Sequence, residues 1–478
     1  MNARGTSGNR TGGRWRLLLD PAVLNLMAAT AAVGLAGAFV VPTTSLFLRE
    51  AVTATPLMVG LFFAARSIAE IGTDVVVGAV SDRLRSRRAI LVLTALFNAA
   101  GALCYTLLRD YYLLLLAGMV CFGLGGACFG QLFAYTRELA DARGVDAPFF
   151  NGFLRSVTSL AWVVGPPLAF WVIADWSFTA LYATTAALSL LAAALCGWGL
   201  PDPLKPGARK PGPRGSAAVG AGSAGATADE PADEPAAGSA SSEPSAGSDR
   251  AASAAPEPAD GPPPGLLGMF RGLGPRTVLV LGAVVLLLGA NSMYQIDLPL
   301  HITEELGMSP RFAGLLLGVS AALEVPLMVL VGVWADRVGK QRMMVAATVC
   351  ATVFFGLLPL TDSRLLLLAL QLLNAAWVAV ALNIPVVVLQ DSLPGRFGTA
   401  SALYSSAFKA GMFLGGLAVG TVATWTGYRQ VFWVCAGLTA VAGVLALLLR
   451  AVPRPPSPAP VPVPAPHPLT DPREGSNP

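Results

Sequence analysis

From residue 22 to residue 450 the chain repeatedly offers apolar stretches long enough to cross a lipid bilayer, and this restricts its fold more than any other feature. A hydrocarbon core of about 30 Å is crossed by roughly 20 apolar residues of helix. Cutting at charged and turn-rich punctuation gives spans near 22–47, 56–80, 89–107, 111–134, 149–174 and 178–200, then 277–300, 311–334, 343–360, 365–389, 399–423 and 431–450. Only 13% of the 478 residues are charged, against about 25% in soluble domains. The composition argues against a water-soluble fold, and the chain reads as an all-α integral membrane protein with twelve transmembrane helices.

Between the sixth and seventh spans, Pro201 to Pro264 consists mainly of Ala, Gly, Pro, Ser and acidic residues, with Leu204 and Val219 as its large apolar side chains. Such a stretch buries too little surface to offset the entropy of ordering. The expected organisation is a cytoplasmic tail over 1–21, a six-helix half over 22–200, a largely disordered cytoplasmic linker over 201–276, a second six-helix half over 277–450 and a Pro-rich cytoplasmic tail over 451–478. Positive charge orients it. With both termini inside, Arg49, Arg109, Arg311, Arg364 and Arg429 fall outside, Arg66, Arg155 and Lys409 fall within spans, and the rest of the 32 Lys and Arg are cytoplasmic. Six cysteines lie singly in apolar segments with no CxxC and no nearby His, so they read as packing residues rather than metal ligands or disulfides.

A shift of 254 positions, the difference between Glu70 and Glu324, superimposes the two halves without a gap. It lays Thr55-Pro56 on Ser309-Pro310, Gly60-Leu61 on Gly314-Leu315, Gly78 on Gly332, Asp82-Arg83 on Asp336-Arg337 and Arg88 on Arg342. The loop that follows Gly332, with Asp336, Arg337, Gly339 and Lys340, resembles the G-x-x-x-D-R-x-G-R/K-R/K signature of the major facilitator superfamily. The first copy keeps Gly78, Asp82 and Arg83 but has Arg85 in place of the second glycine. That resemblance implies six-helix halves related by a parallel repeat, with a substrate site near the midplane between them. Gly78, Asp82, Arg83, Gly332, Asp336, Arg337 and Gly339 then read as an inner gate. Its glycines would let neighbouring helices approach, and its Asp-Arg pairs would bridge to charges or helix ends in one state only.

Intramembrane polar residues are costly and tend to be functional. Arg66, Glu70 and Asp74 form one stripe at four-residue spacing in the second span. Pairing of Arg66 with Glu70 would leave Asp74 over. Glu324 repeats the acid in the eighth span, where Ser320 and Met328 replace Arg66 and Asp74, and Lys409 in the eleventh is a candidate partner for it. Arg155, Ser159 and Trp162 share a face in the fifth span, before a Gly165-Pro166-Pro167 sequence expected to break the helix. Gln131, Asn291, Tyr294, Gln295, Gln371, Asn374 and Trp377 form amide and aromatic sets that could bind a neutral polyhydroxylated ligand or join helices. Asp297 and His301, one turn apart at the outer end of the seventh span, could form a pH-sensitive pair, although a His at that depth more often sits at the interface.

Further stretches narrow the family. Pro42-Thr43-Thr44-Ser45-Leu46-Phe47-Leu48, the run from Arg155 to Pro167, Leu323-Glu324-Val325-Pro326, Leu370 to Ala375, and Gln390-Asp391 to Pro394-Gly395 with Gly398 and Tyr404 together resemble the sugar efflux transporters. The resemblance implies efflux of sugars or glycosides across a bacterial plasma membrane by alternating access, driven by protons. Arg66, Glu70, Asp74, Asp297, Glu324 and Lys409 are the candidates for coupling or for an intramembrane charge network. A multidrug exporter of the same fold is the alternative, although the fourth span carries no buried Arg. No nucleophile–base set, metal-ligand cluster or phosphate loop is visible, so the chain is read as a non-enzyme without cofactor or metal. Its expected partners are a small molecule, protons and lipid, without nucleic acid, and it is expected to work as a monomer.

Overall fold

A computed structural model of the chain describes residues 20–81, 87–143, 147–201, 273–393 and 397–452. The expected linker and both tails lie almost wholly outside these residues, as do Asp82 and Arg83. Among the described residues, 12 helices are long and apolar enough to cross a membrane. They are α1 (Pro21–Glu50), α2 (Pro56–Ser81), α3 (Arg87–Leu107), α4 (111–143), α5 (Ala147–Asp175), α6 (Phe178–Gly199), α7 (Pro275–Leu300), α8 (Pro310–Val338), α9 (Lys340–Leu357), α10 (Arg364–Ser392), α11 (Phe397–Thr426) and α12 (Tyr428–Leu448).

Local sequence sets several of these boundaries. Asp20 caps α1 by accepting the Ala22 N–H at 2.8 Å, with Pro21 in the first turn where its missing N–H costs nothing. The repeat is visible at the same level, since α2 starts at Pro56 and α8 at Pro310. Gly339, at φ 92°, ends α8 in a conformation that other residues rarely adopt. Two helices are less regular than their hydropathy predicts. Within α4 a π-helical turn at Gly118–Phe122 interrupts the α-helix, and α7 runs into a second one at His301–Glu305. Conversely, Gly165-Pro166-Pro167 does not break α5, which is helical throughout.

That proline pair serves packing instead. The halves meet along two seams, α2 against α11 and α5 against α8. In the first, a Cβ added to Gly60 would lie 2.6 Å from both Gly416 O and Gly420 N; in the second, one added to Gly314 would lie 2.9 Å from Pro166 O. The 254-residue shift carries Gly60 onto Gly314 and Pro166 onto Gly420, so the two seams are copies of one contact. Both put backbone against backbone, which only a missing side chain allows.

The end of the bundle that the charge bias assigns to the outside is fastened by two ion pairs between the halves. Arg49 donates to both carboxylate oxygens of Glu304, at 2.9 and 2.8 Å, and Arg311 pairs with Asp175.

Candidate functional site

Charge in the second helix is distributed differently from the simplest expectation. Arg66 Nε donates to Glu70 Oε1 at 2.8 Å, and its guanidinium stacks 5.2 Å over the Phe122 ring. Asp74, expected to be left over, is bound by Lys409 of α11, whose ammonium also lies 3.5 Å from Glu70 O. Lys409 therefore serves Asp74 across the α2–α11 seam and is not the partner of Glu324. The reason is geometric, because Asp74 and Lys409 lie on the touching faces of the same two helices.

The repeat explains what remains. Subtracting 254 from Lys409 gives Arg155, just as it turns Glu324 into Glu70 and Met328 into Asp74. Of the charges of the first seam, Glu70 and Lys409 therefore have counterparts in the second, while Ser320 and Met328 stand in place of Arg66 and Asp74. With Met328 where the catching carboxylate would stand, Arg155 and Glu324 have no hydrogen-bond or ion-pair partner among the described residues.

Helix geometry directs both inward. Nine residues are two and a half turns at about 3.6 residues per turn, so they bring a side chain to the opposite face. Leu315 and Val333, nine residues either side of Glu324, are exposed on the outer surface, as are Val164, Leu168 and Trp171, nine residues after Arg155, Ser159 and Trp162. The polar set thus looks away from lipid. The α5 and α8 helices run antiparallel with Gly314 against Pro166 and Phe170 and Gly318 against Val163. Extending that register places Glu324 level with Thr158, only about 4–5 Å along the bundle from Arg155 at 1.5 Å per residue.

The amide and aromatic set divides in two. Tyr294 donates to Gln371 Oε1 at 2.9 Å, Asn374 donates to Ser320 Oγ at 2.8 Å, and Trp377 Nε1 donates to Asn374 Oδ1 at 2.9 Å. Gln371 in turn donates to Leu367 O at 3.1 Å. All four side chains are buried, so they join α7, α8 and α10 and present nothing to a ligand in this conformation. Asn291 and Gln295 behave otherwise: they are half-buried one turn apart on α7 and hydrogen-bond no other side chain among the described residues. Gln131 is buried and accepts from Arg87 at 3.1 Å, beside the Arg87–Glu138 pair.

Of the gate residues, Gly78 lies within α2 and Asp336 within α8. Gly332 makes no close helix contact, its added Cβ meeting nothing within 4 Å, and Arg337 is exposed without a partner among the described residues. The ion pair seen at this end joins Lys340 to Asp391 at 2.6 Å, linking the α8–α9 turn to the end of α10.

The Asp297–His301 expectation also changes. His301 is not interfacial but fully buried, and its Nδ1 bonds Glu305 at 2.8 Å rather than Asp297. The π-helical turn at His301–Glu305 widens the spacing that aligns these two side chains.

Two six-helix halves fastened at one end, with unsatisfied charge facing inward between them, define a membrane transporter. The comparisons agree. The Major Facilitator Superfamily family model matches residues 26–244 and 279–474. Sugar efflux transporter A of Escherichia coli strain K12 is 32% identical over 420 residues, covering 88% of this chain and 93% of that protein. Sugar efflux transporter B of Salmonella typhimurium is 30% identical over 400 residues, covering 84% and 88%. The crystal structure of the nucleoside transporter NupG has the same fold, with a TM-score of 0.67 at 14% identity over 90% of this chain and 99% of that one. The chain belongs to the Major Facilitator Superfamily, within its sugar efflux transporter family.

Proposed function

We propose that this protein exports sugars or sugar-like glycosides from a bacterial cytoplasm by alternating access, in exchange for protons. The observation that carries the substrate class is the 32% identity, over nearly the full length of both chains, to a protein named for sugar efflux. The inward face of α5 adds chemical support. Arg155 and Ser159 can hydrogen-bond hydroxyls while the Trp162 ring covers an apolar sugar face, and Asn291 and Gln295 approach from α7 with free amides.

Proton coupling falls to Glu324 in this scheme. Glu70 and Asp74 are held by Arg66 and Lys409, whereas Glu324 is half-buried with no paired cation among the described residues, and Arg155 stands about 4–5 Å along the bundle from it across the second seam. A proton on Glu324 makes it neutral; when the seam tightens, Arg155 favours the carboxylate and expels the proton. The chain works as a monomer in the cell membrane with both termini in the cytoplasm, and residues 201–276 join the halves there.

Counterflow in inverted vesicles tests the substrate class. Labelled sugar exchange that lactose-like sugars compete and lipophilic cations do not is the expected result. The reverse pattern replaces the sugar exporter with a multidrug exporter.

A further inference from the structure

The outer end of α7 holds an acid that neither the seams nor the substrate face uses. Asp297 has 0% exposure, and both of its carboxylate oxygens are without a hydrogen-bond partner. Ionisable groups approach it from each neighbouring helix, with Glu50 of α1 near Glu304 and Arg311 of α8 paired with Asp175. Glu304 and Glu305 stand on its own helix end, and Cys435 and Tyr428 face it from α12. Arg429 begins α12 but reaches Asp362, at 2.9 Å, and Arg49 of α1 is taken by Glu304. In the packed part of α11, Gly411 to Thr426 contains no ionisable residue, and the outer half of α10 contains only Arg364. Among the described residues nothing donates to Asp297, and the cations at this end are held elsewhere, Arg364 lying exposed over the Phe312 ring. A bare carboxylate there would cost several kcal/mol.

A path leads from this acid to the surface. Glu305 is partly exposed, and its Oε1 accepts the Tyr428 and Arg429 N–H groups at 2.7 and 3.0 Å, at the N-terminus of α12. Backbone N–H groups at a helix start favour an anion. The other oxygen of Glu305 meets His301 Nδ1, which therefore donates, and this fixes the ring so that Nε2 is the bare nitrogen. Nε2 is buried without a partner, as is the Tyr428 hydroxyl of α12. Asp297, His301 and Glu305 recur at every fourth residue along one helix face.

We propose that Asp297 is a proton-binding site, loaded from the outer face through Glu305 and His301. An external proton adds to the Glu305 carboxylate and passes to His301 Nδ1, while the proton on Nε2 moves to Asp297. One proton enters at Glu305 and one arrives at Asp297; His301 is left protonated on Nδ1, the tautomer its bond to Glu305 requires here. Nε2 and Asp297 share no hydrogen bond in this state, so the transfer between them takes place when α7 and α12 shift. Rotation of the ring and exchange with solvent restore the starting tautomer. This assignment is independent of the substrate carried and of the role given to Glu324.

Infrared spectroscopy of the purified protein tests it without transport. The expected spectrum at neutral pH contains a protonated-carboxyl C=O band that is lost in Asp297→Asn and retained in Glu324→Gln. Its shift on transfer to heavy water should slow in His301→Phe, a ring that fits the edge-to-face contact with Phe432 at 5.2 Å. A wild-type spectrum with no such band overturns the proposal even if no variant folds. A band whose intensity in the Glu324→Gln background is unchanged by Asp297→Asn overturns it as well. Loss of the band in Asp297→Asn with no change of exchange in His301→Phe keeps the site and overturns the route.

Discussion

Alanine at position 60 should drive the transporter toward the state that is open outside. Gly60 lies one turn into α2 from the outer end, and its added Cβ would sit 2.6 Å from Gly416 O and Gly420 N. Carbon contacts relax at about 3.5 Å, so α2 and α11 must part by about 0.9 Å there. Overpacking of this kind costs about 1–3 kcal/mol. The obstacle is backbone on the far side, so no side chain can rotate to relieve it. When the outer ends separate the clash disappears, and the cost therefore falls on the closed state alone. A shift of that size multiplies the outward-open population by about 5–150. Gln295→Cys, in a background without the six native cysteines, reads this population through its alkylation rate with a membrane-impermeant reagent added outside. Gly314→Ala should act in the same direction, since its Cβ would meet Pro166 O at 2.9 Å, whereas Gly332→Ala should not, having nothing within 4 Å. An unchanged labelling rate in Gly60→Ala, with the protein still folded, would refute the idea that the glycine seam sets the balance of states.

Other outcomes follow from the same contacts. Asp74→Asn strands the Lys409 ammonium, so vesicle transport should fall, and the double change Asp74→Leu with Lys409→Met should recover thermal stability that either single change loses. Arg155→Met should raise the KM for counterflow while leaving the melting temperature unchanged, because Arg155 makes no hydrogen bond or ion pair among the described residues. Asn374→Ala should behave in the opposite sense, costing about 1–3 kcal/mol of stability by leaving the buried Trp377 Nε1 without an acceptor, as a denaturation midpoint would show.

How legible all this was in the sequence depends on what kind of signal each feature leaves. Span positions are set by transfer of side chains to lipid, a one-dimensional property, and the helices begin and end within a few residues of the hydropathy breaks. The Asp74–Lys409 pair is 335 residues apart and leaves no local trace. Yet the repeat held the clue, because Arg155 and Lys409 occupy equivalent positions and mark the two seams as copies. Burial of His301 is not legible because a position near a helix end looks interfacial until Phe432 of α12 is packed against it. The amides of α10 could not be divided into ligand contacts and internal links from spacing alone. Only the partners across the helices, Tyr294 and Ser320, decide that Gln371 and Asn374 are already occupied.

The two seams also differ in a way that gives the motion a handedness. One is bolted by Lys409 on Asp74, whereas its copy carries a cation and an acid with no bolt between them. Halves built this way need not part evenly, like the covers of a book. Toward the inner end the α2–α11 seam has an ion pair to break before it opens, whereas the α5–α8 seam is tied at its outer end alone, by Arg311 on Asp175, among the described residues.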